Sequence, residues 1–146
     1  MVALSMTVVA TVFACQRFFP DAHETAFSSW EDAPGEVPLY APRSAVDIRL
    51  RRMTESGAQW LSFRVPPADV GTMLSACMRI DRTALAYTQH APPRWWPKVL
   101  TNDGKRRESP YAYYRCEQSP GTGRFDPQSF TAIDAPRGHI FEWRLD

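Results

Sequence analysis

The sequence lacks the residue spacings that mark most enzymes and metal sites. It has three cysteines and three histidines, and none of them stands in a CxxC, HxH or HExxH arrangement, so the usual signatures of a metal site are excluded. It has no GxSxG motif, which excludes the nucleophile elbow of α/β-hydrolases. The loop Gly121-Thr122-Gly123 lacks the lysine and the following helix of a phosphate-binding loop, and indicates a turn. We expect no metal and no cofactor.

An excess of one charge sign is also lacking. Lysine and arginine total 17 against 16 aspartates and glutamates, a net charge of +1. Such a balance gives no global field that would attract nucleic acid, and we expect no nucleic-acid partner. No apolar run reaches the roughly 20 residues that span a bilayer. The 146 residues, 44% hydrophobic and 12% aromatic, suffice for one domain with its own core.

Charge is absent altogether before Arg17, and this start is mostly apolar. The run ends at Val12-Phe13-Ala14-Cys15, with a small residue directly before a cysteine. It is shorter than a membrane span and has the length of a secretory apolar region. The pattern resembles the lipobox of bacterial lipoproteins, although the positive residues that usually precede the apolar run are missing. Residues 1–14 are therefore interpreted as a lipoprotein-type signal segment.

The lipobox resemblance implies that Cys15 is acylated and becomes the new N-terminus. Two or more acyl chains give stable membrane anchoring. Gln16 stands where an aspartate often signals retention at the inner membrane, so the resemblance implies an outer-membrane protein that faces the periplasm. Two alternatives stay open, namely an ordinary cleaved signal or uncleaved anchor, and a core strand favoured by Val8, Val9 and Val12.

The odd number of cysteines is explained if Cys15 carries lipid, because Cys77 and Cys116 then remain as an even pair. The envelope outside the cytoplasm is oxidising, so we expect these two to form a disulfide. The alternative is a pair of buried free thiols, which are common core residues.

Residues 15–43 are interpreted as the lipidated cysteine followed by an extended tether. Prolines recur among polar residues with no sustained period, which disfavours a helix. Aromatic residues are unusual in a pure linker, so part of the segment is expected to dock on the domain or to lie at the membrane interface. The prolines are Pro20, Pro34, Pro38 and Pro42, and the aromatic residues are Phe18, Phe19, Phe27 and Trp30.

Residues 44–146 are interpreted as a single α+β domain. Alternating apolar residues predict strands near 46–51, 60–65, 111–117, 129–134 and 139–145. An apolar stripe formed by Val70, Met73, Leu74 and Cys77 predicts a short amphipathic helix. The expected fold is an antiparallel sheet of four to six strands with that helix packed on one face. Phe141, Trp143 and Leu145 are predicted to face the core.

A recognition surface is predicted at Arg94, Trp95, Trp96 and Lys98, in a segment stiffened by prolines. Adjacent tryptophans point one ring toward the core and leave the other for a partner. An exposed tryptophan beside arginine is typical of interaction hot spots and also stacks on sugar rings. The alternative is that both rings cap the sheet.

No catalytic constellation stands out from residue types and spacings. The histidines His23, His90 and His139 are scattered and are expected on the surface. A Cys–His pair would need Cys77 or Cys116 to be reduced and near a histidine, and Cys116 and His139 both lie on predicted strands. Nothing places two carboxylates across a cleft, as a glycosidase needs. The candidates by residue type alone are Asp69, Asp81, Glu108, Glu117 and Asp134.

The whole pattern resembles a loose group of small uncharacterised bacterial lipoproteins. The resemblance is carried by the lipobox-like start, the proline-bearing tether, Trp95-Trp96-Pro97, Tyr114-Arg115-Cys116 and the final hairpin. It implies a location and an α+β fold but no activity. We expect a non-enzymatic lipoprotein that binds an envelope protein or a glycan. The alternatives are an inhibitor or immunity-type protein against a toxin or muramidase, and a hydrolase with an unrecognised site. The oligomeric state stays open.

Overall fold

The computed structural model describes residues 22–146. The predicted signal segment 1–14 and the predicted lipidation site Cys15 lie outside the described residues. Seven antiparallel strands form one sheet in the order β1-β2-β3-β7-β6-β5-β4. The strands are β1 (Ala22–Ser29), β2 (Val46–Met53), β3 (Gln59–Arg64), β4 (Cys77–Ile80), β5 (Ala112–Cys116), β6 (Ser129–Asp134) and β7 (His139–Arg144).

One short helix, α1 (Pro67–Leu74), connects β3 to β4. The described part of the chain also has three single-turn 3-10 helices, at Arg82–Ala84, Lys98–Leu100 and Ala135–Arg137. The helix begins with proline at its first position, where the missing N–H has no intrahelical partner to lose. No helix in residues 22–146 is long and apolar enough to cross a membrane.

The predicted fold class is wrong. The sequence predicts an α+β domain with four to six strands and a helix packed on one face, whereas residues 22–146 are mostly β, with seven strands and eight residues of α-helix. The helix is shorter than the apolar stripe that begins at Val70 predicts. The helix stops at Leu74, and Cys77 opens β4 instead of completing the stripe.

The segment interpreted as a tether belongs to the fold from Ala22 onward. Ala22–Ser29 pairs with β2 as an edge strand. Residues 30–45 then cross one face of the sheet in a series of turns, two of which are closed by N–H groups bonding to the carbonyls of Pro38 and Pro42. The prolines therefore form turns rather than an extended spacer. This crossing buries Ala33, Val37, Tyr40 and Ala41.

Both faces of the sheet are covered, and this explains why β6 is buried along its whole length. On the first face, side chains of the central strands pack under residues 33–45 and against α1. On the second face, residues 80–111 cover a cluster rich in aromatic rings. The first cluster includes Ile48, Leu61, Phe63, Val70, Met73 and Ile140, and the second includes Trp60, Trp96, Leu100, Phe130, Phe141 and Trp143.

The predicted disulfide is confirmed. Cys77 and Cys116 are bonded and stand opposite each other in the β4–β5 ladder. The bond joins β4, the outermost strand, to its neighbour β5. The bond therefore fastens an edge of the sheet.

Candidate functional site

The two adjacent tryptophans have different environments. Trp96 is only 5% exposed, and its ring meets those of Phe141 and Trp143 edge-on at 5.5 and 6.1 Å. Its indole N–H donates to the Leu100 carbonyl at 2.8 Å. Trp96 is thus a core residue that caps the second face of the sheet.

Trp95 is half-buried beside it, with the two ring centroids 5.8 Å apart. Its indole N–H donates to Oε1 of Glu24 on β1 at 2.5 Å, which ties the loop to the edge strand. Arg94 and Lys98 are exposed and form no ion pair within residues 22–146. The predicted surface is therefore a buried ring, a half-buried ring and two exposed cations.

Trp95 also lines a cleft of about 240 Å³, which we call the Trp95 cleft. Its floor comes from three neighbouring strands. In the ladder, Arg49 stands opposite Ser62, and Ser62 stands opposite Phe141. Cross-strand partners share one face of a sheet, so these side chains meet on the face that carries Trp95. The full lining is Asp47, Arg49, Ser62, Arg64, Trp95, His139 and Phe141.

A bulge shapes one end of the cleft. The register between β2 and β3 shifts between Val46 and Arg49, and Asp47 adopts a left-handed backbone with φ of 52°. Aspartate tolerates this conformation better than most residues. The bulge places the Asp47 carboxylate 3.7 Å from the guanidinium of Arg64, so that the two form an exposed ion pair.

Three hydrogen-bonding side chains in the cleft have no partner within the described part of the chain. Arg49 is exposed and forms neither an ion pair nor a side-chain hydrogen bond there. The hydroxyl of Ser62, a residue only 3% exposed, is likewise unpaired, as is the ring of His139. With Arg64 already paired, Arg49 leaves the cleft with an uncompensated positive charge.

Burial of the His139 ring lowers its pKa, and the nearby cation of Arg64 lowers it further. The ring centroid lies 4.2 Å from that of Phe141. At neutral pH the imidazole is therefore uncharged and offers one N–H donor and one acceptor nitrogen.

A second cavity, of about 170 Å³, opens on the opposite face of the sheet. Glu142 lines it and is only 5% exposed. The Tyr40 hydroxyl donates to its Oε2, and Ser129 lines the same cavity. Burial raises the pKa of Glu142 to about 7, against an ordinary 4.5. We call this space the Glu142 cavity.

Asp126 is the second carboxylate to consider in the Glu142 cavity, but both of its oxygens are occupied. Oδ1 accepts the backbone N–H of Gln128 at 2.9 Å, and Oδ2 lies 3.3 Å from Nε of Arg144. Glu142 is itself held by Tyr40. These contacts fasten loops to the sheet and favour a structural role over acid–base catalysis.

The five carboxylates that the sequence analysis names as catalytic candidates do not share a site in the described structure. Asp69 accepts a hydrogen bond from Ser44, and Asp81 caps the turn at Thr83. Glu117 holds the backbone N–H groups of Gly121 and Gly123, Asp134 pairs with Arg137, and Glu108 is exposed. Their roles are local.

Of the three histidines, His23 is exposed on β1, His90 pairs with Asp146 at 3.4 Å, and His139 lines the Trp95 cleft. A thiolate at Cys116 acting with His139 is excluded in the oxidised protein, because Cys116 is disulfide-bonded. Residues 22–146 contain no group of three His, Cys, Asp or Glu side chains that would hold a metal ion.

Sequence reasoning missed most of the cleft. Arg49 and Ser62 are polar positions of ordinary strands, and only the strand order places them beside His139 and Trp95. Alternation along β7 places Glu142 on the face away from Phe141 and Trp143. That face is buried as well, because residues 30–45 cover it.

No family model, curated protein or solved structure matches this chain. The functional argument therefore rests on the geometry of the Trp95 cleft and on the sequence.

Proposed function

We propose that the protein is a non-enzymatic binding protein of the bacterial cell envelope and that the Trp95 cleft is its ligand site. The observation that carries this proposal is the convergence of Arg49, Ser62 and His139, none of which is paired within residues 22–146, beside the rings of Trp95 and Phe141. Small-molecule sites typically combine apolar walls with a few polar groups aimed inward. Such polar groups gain hydrogen bonds when a ligand enters.

The proposed location is supported by the N-terminal sequence and by the disulfide. Disulfides persist in oxidising compartments such as the periplasm and are rare in the cytosol, and Cys77 is bonded to Cys116. The resemblance of Val12-Phe13-Ala14-Cys15 to a lipobox places the lipid on Cys15. On this proposal the protein is anchored at the outer membrane and faces the periplasm.

The chemistry of the cleft favours binding over catalysis. An activated serine needs a hydrogen-bonded base, and no hydrogen bond joins Ser62 to His139 in the described structure. The carboxylate in the cleft, Asp47, is already paired with Arg64. A ligand would therefore meet donors and aromatic rings rather than an assembled nucleophile and base.

The anchor is tested by intact-mass analysis of the protein isolated from bacterial membranes, with Cys15→Ser as the matched control. We expect the parent chain to lose residues 1–14 and to gain the mass of acyl chains, and we expect the variant to gain no lipid. An unprocessed, unlipidated parent chain in the cytosol would contradict the envelope location.

The ligand site is tested by NMR of the two indole N–H groups while soluble fragments of cell-wall glycan are added. Trp95 lines the cleft, whereas Trp96 donates to Leu100 inside the core and serves as an internal control. We expect the Trp95 signal to move in a saturable way and the Trp96 signal to stay in place. Equal movement of both signals, or movement of neither, would count against the cleft as a glycan site.

An inhibitor of a muramidase is a second candidate, favoured by the exposed cations Arg94 and Lys98 on either side of Trp95. Glycosidases carry paired carboxylates in their catalytic clefts, and a cationic rim with an aromatic ring complements such a cleft. We expect muramidase activity to fall when the protein is added. We expect the double variant Arg94→Ala, Lys98→Ala to inhibit less, and unchanged activity with the parent protein would exclude this candidate.

A further inference from the structure

The net positive charge of the Trp95 cleft favours a negatively charged ligand. Arg64 is compensated by Asp47 at 3.7 Å, while Arg49 has no counter-ion within the described residues. Guanidinium pairs with carboxylates, as it does with phosphates, through two parallel hydrogen bonds. One free guanidinium thus fits a ligand with one anionic group, such as a carboxylate.

The volume and the aromatic walls of the cleft favour a ligand with a single ring. A volume of about 240 Å³ lies below the roughly 300–1,000 Å³ of sites for drug-sized ligands. Trp95 and Phe141 present aromatic surface to that space. The apolar face of a small ring packs against such surfaces, while its edge stays available for hydrogen bonds.

The remaining polar groups of the cleft favour a ligand whose ring carries hydroxyl groups. The Ser62 hydroxyl and the neutral imidazole of His139 each offer a donor and an acceptor. A hydrocarbon ring in the cleft would leave both side chains desolvated and unpaired, which costs free energy. A hydroxylated ring satisfies them.

We propose that the Trp95 cleft binds a single sugar-acid unit, a pyranose ring that carries one carboxylate. The carboxylate pairs with Arg49, the ring face packs on Trp95, and ring hydroxyls bond to Ser62 and His139. This inference rests on the proposed binding function and narrows it to one class of ligand.

The test is an NMR titration of the oxidised full chain in detergent micelles, followed through the Trp95 indole N–H. The three probes are glucuronate, glucuronamide and cyclohexanecarboxylate. Glucuronamide keeps the ring and hydroxyls of glucuronate but lacks its charge, whereas cyclohexanecarboxylate keeps the charge and lacks the hydroxyls. We expect glucuronate to bind about fivefold more tightly than either of the other probes, the upper range for an exposed ion pair.

The matched variants are Arg49→Gln and Arg124→Gln, the latter at an exposed arginine outside the cleft. Arg49→Gln is expected to remove the preference for glucuronate over glucuronamide and to leave the affinity for glucuronamide in place. Arg124→Gln is expected to change neither affinity. Backbone amide spectra of both variants check that the fold is retained.

Each contrary result overturns a separate part of the argument. Equal affinity for glucuronate and glucuronamide would overturn the carboxylate assignment and leave the cleft as a site for neutral rings, so the proposed function would stand. Equal affinity for glucuronate and cyclohexanecarboxylate would overturn the sugar assignment. If none of the three probes binds, the sugar-acid proposal is overturned. If glycan fragments also leave the Trp95 signal unmoved, the proposed binding role of the cleft is overturned as well.

Discussion

Glu142 is a buried carboxyl whose proton is retained to unusually high pH. Tyr40 crosses the sheet face to reach it, and this contact links the segment before β2 to the last strand. A buried acid is held in its neutral form because the charged form loses its hydration. The protein therefore carries a pH-dependent element in its core.

Glu142→Gln is predicted to remove part of the pH dependence of stability. The folded-state pKa is about 7 against an ordinary 4.5, so the folded state binds more protons than the unfolded state between these values. The contribution of Glu142 to the free energy of unfolding is then greatest below pH 4.5 and falls as pH rises, by about 3 kcal/mol in all above pH 7. Glutamine mimics the neutral carboxyl throughout.

The measurement is urea denaturation of both proteins at a series of pH values. The parent chain should match Glu142→Gln most closely in acid and should become the less stable of the two near neutral pH. A stability difference that stays constant across the range would show that Glu142 titrates with the same pKa in the folded and unfolded states.

The β6–β7 hairpin depends on a glycine that ties it to β3 and α1. Gly138 has a φ of 61°, and a Cβ at this position would lie 1.9 Å from the Val65 carbonyl oxygen. The Gly138 carbonyl in turn accepts the Val65 N–H at 2.8 Å. The hairpin and the connection into α1 are therefore in direct backbone contact.

Gly138→Ala is predicted to destabilise the protein by at least about 3 kcal/mol, since it combines a left-handed backbone with a clash against backbone atoms. Gly121→Ala is the control, because Gly121 also has a positive φ, 83°, but a Cβ there meets no atom within 4 Å. It should cost only about 1 kcal/mol. Equal losses in thermal denaturation would show that backbone conformation alone matters.

The edge strand β4 is predicted to depend on the disulfide more than the rest of the sheet does. Cys77 and Cys116 are 39 residues apart. Their bond lowers the conformational entropy of the unfolded chain, which raises the free energy of that state by about 4 kcal/mol. Replacing both cysteines by serine should lower stability by up to that amount. Amide hydrogen exchange should accelerate first in Cys77–Ile80, and uniform acceleration across β6 and β7 as well would contradict a local role.

The sheet as a whole needs the residues before Ser44. Without β1 and the turns that follow it, Ile48, Leu50, Leu61 and Phe63 would lose the cover that buries them on the first face. A contiguous exposed apolar face of this kind promotes aggregation.

A chain that starts at Ser44 is accordingly predicted not to fold to a native monomer, whereas a chain that starts at Ala22 is predicted to fold. Near-ultraviolet circular dichroism and amide spectra distinguish the outcomes. A well-dispersed spectrum from the shorter chain would show that residues 22–43 are an accessory cover rather than part of the folding unit.

The part of the fold that sequence reasoning recovered consists of strands with clean alternation and tight turns. Strands β2, β3, β5, β6 and β7 overlap the predicted ones, because their period-two pattern is local. Strands β1 and β4 escaped prediction. The side chains of β1 are mostly exposed, and β4 has only four residues after a helix, so neither carries a distinct apolar pattern.

Local features follow from the sequence alone: the cysteine pair free to bond, the β-rich alternation and the paired tryptophans. The folded chain was needed to show that both sheet faces are covered, that Glu142 is buried, and that Arg49, Ser62 and His139 share a cleft with Trp95. The physical reason is that strand order and register join residues far apart in the chain, whereas propensity and period report only on neighbours along it.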